Sequence, residues 1–118
     1  MRPVRAPIDR LFRAFADDTR LRLLHLLARR GELCVCDLQA ALGLSQPKIS
    51  RHLAYLRGAG LVSWRRRGAW RHYALARPRG PVHLGLTALL RGGLAEEPRL
   101  RRDLRTLDRR GSGWRSCR

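Results

Sequence analysis

The feature that most constrains this chain is a three-residue break, Gly43-Leu44-Ser45, between two short segments of helical periodicity. Before it, residues 36–42 place Leu38, Ala41 and Leu42 as the apolar positions of a two-turn helix; after it, Ile49, Leu53 and Leu56 recur at i, i+4 and i+7. Gly43 suits a helix C-terminus and Ser45 an N-cap. Pro47 is tolerated in the first helical turn, where its missing N–H costs little. Two helices joined so tightly make a helix-turn-helix, spanning about residues 36–58.

The flanks supply what such a pair needs to pack against. Ile8, Leu11, Phe12 and Phe15 form one stripe of a short helix after Pro7. Asp17 or Asp18 can cap a second helix, in which leucines at 21, 23, 24, 26 and 27 cover most of the circumference, as expected of a helix buried among others. Gly31 stops it. Beyond Gly58 and Gly60 the period changes: Leu61-Val62-Ser63-Trp64 and Trp70–Leu75 are β-prone runs on either side of Arg65-Arg66-Arg67-Gly68, predicting a hairpin over about 61–75 with an arginine-rich tip. Pro78, Gly80 and Pro81 then precede a last amphipathic helix carrying Val82, Leu86, Leu89, Leu90 and Leu94. The expected fold is mainly α with a small β-hairpin, a winged helix-turn-helix over residues 1–97. A basic tail, 98–118, follows, with Leu100, Leu104 and Leu107 marking one more short helix. At 118 residues there is room for one core.

Charge says what the motif faces. Twenty-six Lys+Arg against nine Asp+Glu leave a net +17, and the bias is concentrated: residues 38–95 hold ten basic side chains and no acid. A merely solvated surface tolerates mixed signs, so this points to a polyanion. With Ile49, Leu53 and Leu56 inward, the second helix turns Pro47, Lys48, Ser50, Arg51, Ala54 and Tyr55 outward, with Gln46 and His52 flanking the buried stripe. Gln46, Lys48, Ser50, Arg51 and His52 are the groups expected to read double-stranded DNA, and Arg65, Arg66, Arg67 and Arg71 to reach flanking phosphates or the minor groove as a wing. His72 falls on the same side. His25 and His83 read as ordinary packed imidazoles. No run approaches the roughly 18 apolar residues of a membrane span, and the N-terminus lacks a signal peptide's apolar core, so a cytoplasmic protein with no membrane partner is expected. Nor is there a paired-carboxylate or nucleophile–base constellation; the chain does not read as an enzyme.

Cys34 and Cys36 stand where the first helix of the motif begins, and the helix dipole there favours thiolates. Residues i and i+2 of a helix point about 200° apart, so one ion can hold both sulfurs only if this segment is or becomes non-helical. Binding is thus expected to distort the start of the reading motif and shift the chain away from its DNA-competent state. Two thiols with no nearby His or Asp cluster suit trivalent arsenic or antimony better than zinc, which takes four N/S ligands.

The blocks Glu32-Leu33-Cys34-Val35-Cys36-Asp37-Leu38 and Ser45-Gln46-Pro47-Lys48-Ile49-Ser50-Arg51-His52-Leu53, with Leu56-Arg57 and Gly60-Leu61, resemble the arsenical-resistance operon repressors of the ArsR/SmtB winged-helix family over roughly residues 8–95. The resemblance implies a homodimer formed through the first and last helices, 8–15 and 82–94. Such a dimer needs no cofactor to bind its operator and leaves it when As(III) or Sb(III) binds the cysteine pair. Relatives often carry a third cysteine where this chain has Gln39; a water or small thiol, or Cys117 as third ligand, would complete the site. Cadmium- and lead-sensing relatives add cysteines in an N-terminal arm, and residues 1–33 here have none. His83 is alone on the helix where zinc-sensing relatives bind their metal. The alternatives are a thiol-redox or Cd/Pb-sensing repressor of the same fold, and, from another class, an architectural nucleic-acid binder indifferent to sequence.

Overall fold

The computed structural model describes residues 7–110. Helices α1 (Ile8–Phe15) and α2 (Asp18–Arg30) lead into a two-residue strand β1 (Leu33–Cys34). The pair α3 (Val35–Leu42) and α4 (Gln46–Gly58) follows, then strands β2 (Val62–Arg67) and β3 (Trp70–Leu75). Helix α5 (Pro81–Ala88) continues into a π-helical segment, Leu89–Gly93, before α6 (Pro98–Arg110). This is a winged helix-turn-helix, as the sequence predicts.

Local chemistry places the boundaries. The Asp17 carboxylate accepts the Arg20 N–H at 3.0 Å and caps α2, a bond that holds its carboxyl below the usual range. Gly31 ends that helix at φ +76°, open to glycine and rarely to other residues. Leu23, Leu24, Leu26 and Leu27 of α2 are all buried, and Ile49, Leu53 and Leu56 of α4 are fully so. The central helix and the inward face of the reading helix are therefore those that periodicity indicates.

The hairpin differs in detail. β2 and β3 pair in register from Val62↔Leu75 to Arg67↔Trp70, leaving only Gly68 and Ala69 to turn, with Gly68 at φ +63°. Arg65, Arg66 and Arg67 thus lie within β2 and not at the tip, because a two-residue turn lets the ladder run to its end. β1 adds a third strand, pairing Leu33 with Tyr73 and Cys34 with His72, so the sheet order is β1-β3-β2. That makes β3 the middle strand.

α6 lies on α2 and α3. Leu100, Leu104 and Leu107 are buried along one stripe. Four ion pairs flank them: Arg22 with Asp103, Arg30 with Asp108, Arg110 with Asp37 and Arg99 with Asp18. Burying three leucines contributes about 1.5–3 kcal/mol each, against about 0–1 kcal/mol for a half-exposed pair such as Arg30 with Asp108. The leucines hold α6 down, and the charges fix its register.

His25 is 1% exposed, and neither ring nitrogen has a hydrogen-bond partner among the described residues. Burial pushes its pKa, and those of His52 and His83, below the ordinary 6.5. A lowered folded value means that the unfolded chain takes up protons first. Stability is therefore complete above about pH 6.5 and falls as the pH drops through it, by at most about 1.4 kcal/mol per pH unit for each histidine. Thermal unfolding between pH 8 and pH 5 should show this decline, and His25→Leu should make it shallower.

Candidate functional site

Cys34 closes β1 and N-caps α3, with extended backbone at φ −70°, ψ 150°, while Cys36 is already inside the helix. Leaving the helical φ/ψ at the first cysteine cancels the divergence expected of positions i and i+2, and the two Sγ atoms lie 3.1 Å apart. Of the two cases under which both sulfurs can reach one ion, a segment that is non-helical or one that becomes so, the structure has the first at Cys34, which is extended and outside the helix.

The pair is built into a capping box. Cys34 Sγ faces the backbone N–H of Asp37, and Asp37 Oδ2 accepts the Cys34 N–H at 3.1 Å. Asp37 is 1% exposed, and its Oδ1 accepts from Arg110 Nε at 3.1 Å, so the last residue of α6 is anchored beside the cysteines. Burial pushes the Cys34 thiol up, outweighing the amide N–H groups of Cys36 and Asp37 that favour its anion. The thiolate expected from the helix dipole is thus not what this pocket favours at Cys34. A soft ligand has to displace a proton there.

On the other side of α3, Gln46, Lys48 and Arg51 are exposed along α4, with Ser50 half-buried. His52 turns back toward the α2 cap, its Nδ1 3.8 Å from Asp17 Oδ2. Arg66 and Arg71 are exposed and face each other in register across the wing. Arg71 stacks 4.3 Å from the centre of the Trp64 ring and Arg57 packs at 5.2 Å, which limits the freedom of both guanidiniums. Arg65 donates through Nε to both oxygens of Glu32, and Arg67 Nη1 is 3.8 Å from the same carboxylate. An acid from outside the basic stretch therefore offsets part of the wing. His72, placed on the DNA side by sequence, is 3% exposed. It sits on the middle strand, beside Glu32 at 3.6 Å, so the placement of its side chain on the DNA-facing side is corrected.

Sequence reasoning missed Glu32, Arg57, Asp37 and Arg110. Only Asp37 carried a signal: Cys34-Val35-Cys36-Asp37 has the N-cap-to-N3 spacing of a capping box. Cys117 lies outside the described residues. Among the described residues no group of three or more His, Cys, Asp or Glu side chains is arranged to hold a metal, and no helix is long and apolar enough to cross a membrane.

Residues 17–63, the segment that contains the cysteine pair and both helices of the reading motif, match the family model described as bacterial regulatory protein, arsR family. The homodimeric winged helix-turn-helix DNA-binding domain Mb0332 of Mycobacterium bovis superposes with a TM-score of 0.60 at 35% identity, covering 70% of this chain and 73% of that one. The chain belongs to the ArsR family. Within it, this ArsR-family chain is 62% identical over 65 residues to the arsenic resistance transcriptional regulator ArsR1 of Pseudomonas putida, 55% of this chain and 51% of that one. The AntR antimony-specific transcriptional repressor is similar in structure, with a TM-score of 0.57 and 42% identity over 67% of this chain and 68% of its own. The chain spans about half the length of the curated arsenic regulators it matches.

Proposed function

We propose that this chain is a metalloid-responsive transcriptional repressor, which binds operator DNA as a homodimer and dissociates when As(III) or Sb(III) binds the Cys34 and Cys36 thiolates. The observation that carries the reading is the 3.1 Å separation of two sulfurs at the N-cap of the helix that leads into α4. A ligand that engages Cys34 Sγ takes it from the amide it caps, weakening the start of α3 and through it the setting of α4. Relatives named for arsenic resistance and for antimony support the choice of inducer.

In this reading α4 lies in the major groove, with Gln46, Lys48, Ser50 and Arg51 toward base edges and phosphates. Arg66 and Arg71 of the wing reach the flanking backbone, and Arg65 and Arg67 contribute less because Glu32 engages both. The dimer forms through α1 and the α5 region, where Ile8, Phe12, Leu84 and Leu89 are 59%, 53%, 58% and 44% exposed. Apolar side chains that open at two adjoining helices fit a surface covered by a second copy.

The test is a mobility-shift titration on the DNA upstream of the gene, comparing arsenite, antimonite, cadmium and zinc. Release by the trivalent metalloids at the lowest concentrations supports the reading, and indifference to all four sinks it. Arg51→Ala should weaken operator binding by about 1–3 kcal/mol, roughly 5- to 150-fold, with arsenite affinity unchanged; an equal loss on random DNA would reduce Arg51 to a phosphate contact.

A further inference from the structure

The two faces of the wing differ. Alternation along the paired strands sends Trp64 and Arg66 of β2 to one face with Arg71 and Tyr73 of β3, and Arg65 and Arg67 to the other with His72. Glu32 engages Arg65 and Arg67 and lies beside His72 on that second face. On the first, Arg66 and Arg71 are exposed, and neither they nor the exposed Arg57 have an acid partner among the described residues. This face borders α4 across a groove lined by Ser50, Ala54 and Arg57 on the helix and by Trp64 and Arg71 on the wing. Gln46, Ser50, Ala54 and Arg57 recur at i, i+4, i+8 and i+11, one stripe along α4 of which Arg57 is the last member. Both guanidiniums in the groove pack on one ring, Arg57 at 5.2 Å and Arg71 at 4.3 Å from the centre of Trp64. Trp64 is itself paired with the buried Tyr73. An arginine ordered in advance loses less freedom on binding, an advantage of about two- to tenfold in affinity per side chain.

We infer that Arg57 is a further DNA-contact residue and Trp64 a positioning residue: the indole holds the guanidiniums of Arg57 and Arg71 as one clamp for the phosphodiester backbone where it passes between α4 and the wing. The inference rests on the operator-binding reading above. A phosphate oxygen accepts from a guanidinium whatever base its nucleotide carries, so the clamp is indifferent to sequence. It anchors the C-terminal end of α4 to the backbone and leaves the N-terminal end, with Gln46 and Ser50, to the bases.

The test measures binding of the full chain to the DNA upstream of the gene and to a random duplex of equal length, by fluorescence anisotropy between about 50 and 200 mM potassium chloride. Arg57→Gln should weaken binding at least about fivefold on both duplexes and lower the slope of log K against log salt by about 2, one phosphate at about 0.9 per subunit of the dimer. Arg57→Lys keeps the charge and loses the flat stack; it should keep the parental slope and bind about two- to tenfold more weakly. Trp64→Phe, which retains a ring, should stay within about threefold of the parent, and Trp64→Leu should fall below it. In an Arg57→Gln/Arg71→Gln background, Trp64→Leu should have no effect beyond about twofold, as expected of a residue that acts through those two side chains. An undiminished loss in that background would make Trp64 merely structural. Parental affinity in Arg57→Lys, or a loss in Arg57→Gln confined to the operator, would overturn the clamp. Should Trp64→Leu not fold, the Arg57 variants decide alone, since Arg57 is exposed. A parent that binds neither duplex rejects the operator-binding reading itself; a parent that binds while Arg57→Gln matches it at every salt overturns the inference and leaves that reading intact.

Discussion

Replacing Cys34 or Cys36 with serine should leave operator binding within about threefold of the parent while raising the arsenite needed for release by more than about 100-fold, beyond the 10- to 100-fold typical of an outer-shell partner. The two effects separate because the substitution changes the donor and spares the fold. Serine is a favoured N-cap, so Cys34→Ser keeps an acceptor facing the Asp37 amide, and the Asp37 bond to the residue 34 N–H is untouched. The hydroxyl is a hard, weakly acidic donor that does not compete with a thiolate for a soft ion. Cys36 is half-buried in the first turn of α3, and serine is tolerated there as well. Mobility shift for DNA binding and arsenite titration for release read the two quantities independently. Release that survives both single substitutions at parental arsenite would remove the pair from the mechanism.

Asp103→Ala should be the most destabilising single change outside the core leucines. Arg22 donates to Asp103 through Nε and Nη2, both at 2.9 Å, and its Nη2 also reaches the Leu42 carbonyl at the end of α3. The Asp103 side chain is 4% exposed and that of Arg22 20%, so truncating the acid leaves the mostly buried guanidinium with only the longer 3.8 Å ion-pair contact to the half-exposed Asp18 among the described residues. The expected loss is about 3 kcal/mol, enough to lower Tm by about 10 °C. The double variant Arg22→Met/Asp103→Leu should recover most of it, because no charge is then left without its partner. A Tm within 2 or 3 °C of the parent for Asp103→Ala, on the order of the roughly 0–1 kcal/mol of an exposed pair, would show this pair to be no stronger than those on the surface.

The acids show how sequence and structure divide the work. Residues 38–95 lack them, and the chain places its acids on the flanks. Asp18, Asp37, Asp103 and Asp108 hold α6 to the body, and Glu32 folds over the wing. The distribution of charge along the sequence placed the basic surface in residues 38–95. With Arg65 and Arg67 engaged by Glu32, the parts of that surface exposed without an acid partner among the described residues include Lys48, Arg51, Arg66 and Arg71.

By itself the sequence determined what local physics decides. Spacing of apolar residues set the inward faces of α2 and α4, glycines set the stops at Gly31 and Gly43, and the change to β-prone runs set the hairpin. Each depends on residues a few positions apart, whose relation is fixed before the chain folds. Tertiary structure decided everything that depends on distant partners. β1 is too short to show a period, and exists because β3 offers it an edge. His72 is buried because β3 is the middle strand. The two sulfurs meet because pairing with β3 holds Cys34 extended at the point where α3 begins, and the Cys34 thiol is pushed up because the body closes over it. Arg110 reaches Asp37 across 73 positions of sequence. No local pattern encodes that contact; it follows only once Leu100, Leu104 and Leu107 have laid α6 against the core.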